Sequence, residues 1–507
     1  MTSFVKGTIV LMFTVFLSKL FGFVFRMQFV KFAGEEAIGY YSTIYPTFIF
    51  FLSFVQIGLP IAIAKLTAEH LAKKEHSLVS ALTKKTWTLF GLSCVVLLPI
   101  LYFLTPFIAT VLLKNEALAS ILIIALITVP FSTVASIIKG YLQGMNKIDV
   151  TAWAGLLEQV VRIVLVSFVL PVVLNPGDPL SSAEYAMGIT LIAEIISLSY
   201  LFFHYKMNAV KKSVKVQYPT RRILQIGIPS SGSRLFGSFT WFLEPIVFIH
   251  ALGLAGITAV AASELYGTIS GVLIPLLLFP AFIPYALSVA LIPAVSDAKA
   301  REKKSLLQKR IHLSLRVSAV SGCLAATVFY LHGEHIVEVF FHLSSMGYYL
   351  HLLTPIFFFY YIQSPLHAIL QALHEARAAF YNSVFGGIGK LFLLFYLASR
   401  PGLEEFGAIL AIGFGVLLTT FLHVATLRTR KETGVGYFFF FWTYTIFLLT
   451  IFIRPVIWPL GELPWIADSS VTLLLAILML LLSRQIKLTD FQVGWELFKK
   501  NLPSTEK

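Results

Sequence analysis

The chain has 507 residues, of which 57% are hydrophobic and only 13% charged, with a mean hydropathy of +0.84. A soluble chain of that length needs far more charged surface, so the composition excludes an ordinary water-soluble globule and reads as a polytopic membrane protein. The formal net charge of +14 would suit a nucleic-acid partner, but most of the surplus flanks apolar stretches in alternate loops. That placement reads as topology and attraction to anionic lipids, not nucleic-acid binding.

Apolar stretches long enough to cross a hydrocarbon core of roughly 30 Å recur along the whole chain. In order they are 4–30, 40–66, 87–111, 117–142, 151–174, 183–206, 223–250, 262–292, 307–331, 348–373, 378–398, 404–427, 436–457 and 467–487. They predict an all-α fold with fourteen transmembrane helices. Lys6 precedes the first run, as in a signal peptide, but the length of that run and the later spans predict a retained first helix.

Alternate connections carry the Lys and Arg excess expected of short cytoplasmic loops. These are Lys73, Lys74, Lys84 and Lys85, then Lys139 and Lys147, then the run Lys206, Lys211, Lys212, Lys215, Arg221 and Arg222. Next come Lys299 to Arg310, Arg377, the group Arg428, Arg430 and Lys431, and a tail with Arg484, Lys487, Lys499, Lys500 and Lys507. The intervening loops hold few cations, among them Arg454, and acids that include Glu462 and Asp468. Both termini are thereby predicted to be cytoplasmic.

The basic connection 206–222 is the natural seam, and the sequence repeats across it. Lys19-Leu20-Phe21-Gly22 recurs as Arg234-Leu235-Phe236-Gly237, and Tyr41-Ser42-Thr43-Ile44 as Tyr266-Gly267-Thr268-Ile269. Leu82-Thr83-Lys84-Lys85 matches Leu307-Gln308-Lys309-Arg310 at the same 225-residue offset, and Arg162 matches Lys390 at 228. Six helices per repeat return the chain to the same side, so the repeats are parallel. The expected architecture is two six-helix lobes, 1–210 and 211–435, around a central cavity, with two further helices and a cytoplasmic tail over 436–507.

Of the Lys and Arg residues that fall within predicted spans, seven are singled out as intramembrane charges: Lys19, Arg26, Lys65, Arg162, Arg234, Arg316 and Lys390. A charge at bilayer depth normally faces the protein interior or a watery cavity. Lys19 and Arg26 are seven apart and share a helix face, so both are candidates for the cavity, with an outward snorkel as the alternative for Arg26. Arg234, the repeat partner of Lys19, points to the same space. Lys65 is spaced to pair with Glu69, and Arg162 with Glu158, while Lys390 has no acid within its own helix. Arg316 lies close enough to the basic loop to snorkel or pair across helices. Glu194, Glu244 and Glu264 also lie at or near membrane depth, and a carboxylate of this kind is what proton or cation coupling requires. Glu244 precedes Pro245 and is expected to face the same cavity as Arg234.

Lys19, Arg26, Arg234, Lys390 and Arg162 form a candidate anion site, because arginine offers a fork of donors and lysine a compact charge for phosphate or pyrophosphate. Gly58 and Pro60, Gly227 and Pro229, and Pro280 and Pro284 predict bent helices. Nothing indicates catalysis: no Walker A loop, His-Glu-x-x-His or Gly-x-Ser-x-Gly occurs. His332, His335, His342 and His351 show no metal-ligand spacing, and Cys94 and Cys323 read as small apolar filler.

Several stretches carry a family resemblance. They are Lys19 to Arg26 (KLFGFVFR), Phe32 to Tyr41 (FAGEEAIGYY), Gln56 to Glu69 (QIGLPIAIAKLTAE), Gly140 to Gly144 (GYLQG) and Leu157 to Arg162 (LEQVVR). The chain resembles the stage V sporulation protein B and polysaccharide-export branch of the multidrug/oligosaccharidyl-lipid/polysaccharide flippase superfamily, which includes the lipid II flippases. The resemblance implies a non-catalytic flippase of undecaprenyl-pyrophosphate-linked saccharide in the bacterial cytoplasmic membrane, with a peptidoglycan precursor as cargo and a role in spore cortex synthesis. Lys19 stands where the lipid II flippases have a helix-one arginine; their second arginine falls at Phe25, one residue before Arg26, a rotation of about 100°. Teichoic or capsular sugar-lipid transport and cation-coupled drug antiport are the alternatives. Expected driving forces are membrane potential, H+ or Na+, acting through Glu244, Glu158 or Glu264, with no bound cofactor. Expected partners are the lipid-linked saccharide, anionic lipids and cell-wall synthesis proteins, with the chain acting as a monomer.

Overall fold

The computed structural model describes residues 2–173, 178–210, 217–343, 346–429, 438–457 and 464–485. Lys211, Lys212, Lys215, Arg430, Lys431, Glu462 and the tail lysines from Lys487 onward lie outside the described residues, so the C-terminal charge pattern is not addressed by the structure. Every regular element among the described residues is a helix. The helices are α1 (Thr2–Gln56), α2 (Leu59–Ala72), α3 (His76–Phe107), α4 (Leu118–Gly144), α5 (Ile148–Phe168), α6 (Leu170–Val173), α7 (Pro179–Asn208), α8 (Thr220–Leu254) and α9 (Ala259–Tyr266). They continue as α10 (Ile274–Leu278), α11 (Phe282–Ala300), α12 (Lys304–Phe341), α13 (Gly347–Ala372), α14 (Ala376–Ala398), α15 (Glu404–Arg428), α16 (Phe438–Ile457) and α17 (Trp465–Leu482).

Among the described residues, twelve helical segments are long and apolar enough to cross a membrane. Two differences account for the fourteen predicted. The first predicted span and most of the second belong to α1, which breaks at Gly34, where φ is 83° and only glycine is comfortable. Predicted span ten is α13, a 26-residue helix without charge whose Tyr, His, Gln and Pro residues lower its hydropathy. Large apolar side chains point outward along the helices, as on Val95 and Phe103 of α3, Phe168 of α5 and Leu474 of α17. Such a surface suits lipid and would be a liability in water.

The predicted bends are present in part. Gly58 adopts the left-handed conformation before α2, whose second residue is Pro60. A side chain at Gly58 would strike the Gly227 carbonyl on α8, so the turn and the close approach of α2 to α8 both depend on this residue. The segment Ala259–Ala300 is not one helix. It passes through a π-helical stretch at Gly267–Leu273 and a 3-10 turn at Phe279–Ala281, the latter at Pro280.

The chain divides into two compact units. The first consists of 1–15, 273–393 and 406–507, and the second of 16–272 and 394–405. In the second unit α4 packs on α7 and α2, α5 on α7, and α8 on α2 and α9. Leu59, Ile63, Leu82, Ile138, Tyr141 and Leu201 fill one core there. At its edge His70 is held between Glu75 (2.6 Å) and the Tyr218 hydroxyl (2.9 Å). In the first unit α12 is central, packed by α11, α13, α16 and α17 around Leu315, Cys323, Phe358, Ile369 and Phe447.

Candidate functional site

Four charged side chains from three helices of the second unit meet inside the packing. Glu158 and Arg162 lie one turn apart on α5, and Arg162 Nη2 donates to Glu158 Oε1 at 2.8 Å, so the pairing expected from their spacing is formed. Lys139 of α4 approaches the other carboxylate oxygen at 3.8 Å. Buried Glu194 of α7 lies beside Ser132, within electrostatic reach of Glu158, Lys139 and Arg162. The Arg162 guanidinium stands 5.8 Å from the Phe25 ring of α1. Two acids balance two cations, as burial demands, because an unpaired ion here would lose its hydration without compensation. Lys139 had been read from sequence as a loop charge. It lies well inside α4, and its position one helix away from Glu158 is a tertiary fact.

Arg26 neither snorkels outward nor shares the surroundings of Lys19. Its Nη1 donates to the Gly271 carbonyl in the π-helical stretch. In a regular α-helix the Gly271 carbonyl would bond the amide of residue 275, which is proline and has none. Tyr41, Tyr45 and Arg162 are all within electrostatic reach of it, and the Tyr41 hydroxyl lies 3.4 Å from Thr190 Oγ1.

Lys19 and Arg234 are different. Both are exposed, and among the described residues neither makes a hydrogen bond or ion pair. Lys19 precedes the Gly34 break by 15 residues, about 22 Å, and Arg234 lies 14 residues, about 21 Å, from the start of α8. Neither can reach a helix end.

The remaining candidates separate. Glu244 does not share the setting of Arg234: ten residues of helix rotate it by about 80°, and it is only 5% exposed, next to the buried Tyr266 ring. Glu264 abuts Gly39 and lies within electrostatic reach of Glu35 and Tyr40. Lys390 belongs to the first unit, half-buried on α14 with its stem against Gly415 of α15. Arg316 is half-buried on α12. The Lys65–Glu69 pair does not form. Lys65 is exposed, and Glu69 instead accepts from Lys73 at 3.3 Å and from Arg222 of α8 at 2.7 Å, a hydrogen bond and charges that hold its carboxyl below the usual range.

One cluster was missed. Arg454 and Asp468, read as loop charges, are 1% and 2% exposed and paired with each other. Arg454 Nε donates to Thr472 Oγ1 at 3.2 Å, and His332 Nε2 lies 3.0 Å from the same hydroxyl. The signal was available, since both charges fall inside the spans assigned to them, 436–457 and 467–487. Among the described residues no group of three or more His, Cys, Asp or Glu side chains is placed to hold a metal ion, and both cysteines are free.

Apolar helices with charges gathered inside or exposed at mid-helix suit a membrane transporter. The comparisons agree. The model of the family described as "Polysaccharide biosynthesis protein" matches residues 4–299. Stage V sporulation protein B of Bacillus subtilis (strain 168) is 34% identical, covering 84% of this chain and 83% of its own. The solved structure of lipid II flippase MurJ in its inward closed conformation superposes with a TM-score of 0.71 at 15% identity, over 94% of this chain and 99% of that one. An inward-facing multidrug resistance MATE family transporter of the MOP superfamily gives 0.64 at 16% identity, over 81% and 94%. The chain belongs to the polysaccharide biosynthesis protein family, and it shares the fold of these flippase and transporter structures.

Proposed function

We propose that this protein is a flippase that moves an undecaprenyl-pyrophosphate-linked saccharide, a peptidoglycan precursor of the lipid II type, outward across the bacterial cytoplasmic membrane, in spore cortex synthesis. The observation that carries the reading is the pair of exposed cations Lys19 and Arg234, without a partner among the described residues and far from the ends of their helices. At that depth a cation facing lipid is costly, and one facing a water-reached cavity is an anion site. A pyrophosphate matches such a pair, and its polyprenyl tail stays in the bilayer.

Arg26 and Arg162 already serve the Gly271 carbonyl and Glu158. They shape the site and supply positive potential, while Lys19 and Arg234 take the head group directly. Lys390 is the symmetry counterpart of Arg162 on the second repeat. The lobes 1–210 and 211–435 would then alternate between inward-open and outward-open states with both termini cytoplasmic. Direction comes from the membrane potential or a coupled H+ or Na+, for which the buried carboxylate Glu244, the half-buried Glu158, and Glu264 beside Gly39 are the candidates.

The test is reconstitution in liposomes with labelled lipid II and, in parallel, a capsular-type undecaprenyl-pyrophosphate saccharide. Movement of lipid II is expected. Movement of the capsular lipid alone reassigns the cargo, and movement of neither ends the flippase reading.

A further inference from the structure

Charge accounts for attraction of a pyrophosphate and says nothing about the uncharged sugars attached to it. A carbohydrate ring presents a face of C–H groups, and the complementary protein surface is a rigid, partly exposed aromatic ring with wet polar surroundings. Such a ring stands two helical turns from Arg234. Trp241 follows it by seven residues on α8, a rotation only about 20° short of two full turns, so both side chains lie on one face of the helix about 10.5 Å apart along the axis.

Trp241 is 38% exposed. Tryptophan at a membrane surface normally marks the interface with the head groups. Here it is 21 residues from the start of α8 and 13 from its end, on the face that carries an unpaired arginine. Because that arginine needs water, the face that bears both residues is a wetted one.

The indole is also held in place. Tyr45 of α1 stands edge-on to it, with ring centroids 5.9 Å apart at 68°. One turn along, Phe50 stacks on Phe242 of α8 at 5.0 Å and 15°. The buried Tyr266 hydroxyl also lies near the indole. The α1–α8 contact is thus an aromatic wall whose partly open rings include Trp241, Phe239 and Phe54, of which the indole alone joins an apolar face to a polar N–H, and a ring fixed before binding loses little freedom on binding.

We infer that Trp241 is the saccharide-recognising residue of the site, its indole stacking on a sugar ring of the lipid-linked head group whose pyrophosphate is drawn by Arg234. The assignment rests on the flippase reading and deepens it: Arg234 recognises the charge, and Trp241 recognises the glycan.

The experiment measures binding of the purified full chain in nanodiscs to undecaprenyl pyrophosphate and to the same lipid carrying a disaccharide. The wild type is expected to prefer the glycosylated lipid. Trp241→Leu and Trp241→Gln are expected to weaken binding of the glycosylated lipid about fivefold, the scale of one aromatic contact, while leaving the bare pyrophosphate lipid unchanged. Trp241→Phe restores most of the preference, and Arg234→Ala weakens both lipids alike. An unchanged preference in both Trp241→Leu and Trp241→Gln, or an equal loss for the two lipids, overturns the assignment while leaving the flippase reading intact. A wild-type protein that binds neither lipid overturns both.

Discussion

Arg454 donates to Asp468 across α16 and α17, with both side chains almost completely withdrawn from solvent. Thr472 and His332 complete the network, so the last two helices are tied to α12 by polar bonds as well as by apolar packing. Asp468→Asn is expected to lower stability by about 3–5 kcal/mol, because it leaves a buried guanidinium without its counter-charge. The double variant Arg454→Leu with Asp468→Leu should recover most of that loss. Thermal melting of the detergent-purified protein checks this; equal damage from single and double variants would contradict it.

A similar argument applies to Glu158, on which Arg162 and Lys139 converge. Glu158→Gln is expected to cost about 3 kcal/mol, since it strands both cations. Adding Arg162→Gln should restore part of the loss. The measurement is the midpoint of detergent-phase unfolding, and a neutral Glu158→Gln would show that Glu194 suffices as counter-charge.

Much of the fold was legible in the sequence because bilayer spans are long, local and apolar. Each predicted span has a helical counterpart. The break at Gly34 falls inside the connection predicted between the first two spans, whereas the predicted span 40–66 is itself interrupted at Gly58, between α1 and α2. Charge pairs one turn apart were less certain: Glu158 with Arg162 formed, whereas Lys65 with Glu69 lost to Lys73 and Arg222. Spacing reports which pairs can meet within a helix. Competition from another helix is decided by packing, and for the same reason Lys139 and His332 were invisible as members of buried networks.

Lys19→Ala and Arg234→Ala should each abolish translocation while leaving the melting temperature within about 2 °C of wild type, since exposed side chains without partners contribute little to stability. Transport in proteoliposomes together with thermal melting separates the two effects. Full transport by either variant would remove that residue from the head-group site.

Gly39 of α1 and Gly267 pack backbone to backbone: a Cβ on Gly267 would lie 2.2 Å from the Gly39 Cα. Gly267→Ala therefore forces main chain apart and is expected to destabilise by at least about 1–3 kcal/mol. Gly22→Ala is the control, because nothing lies within 4 Å of its added carbon. Expression and melting of the two variants should diverge; identical behaviour would refute the tight contact.

Arg26 bonds the Gly271 carbonyl, whose α-helical partner position is Pro275 and offers no amide. A ring closure on one segment thus leaves a carbonyl open to a guanidinium on another. Pro275→Ala would return the carbonyl to its own helix and release a cation near Arg162, making an imino acid that touches no anion a determinant of the site's electrical potential.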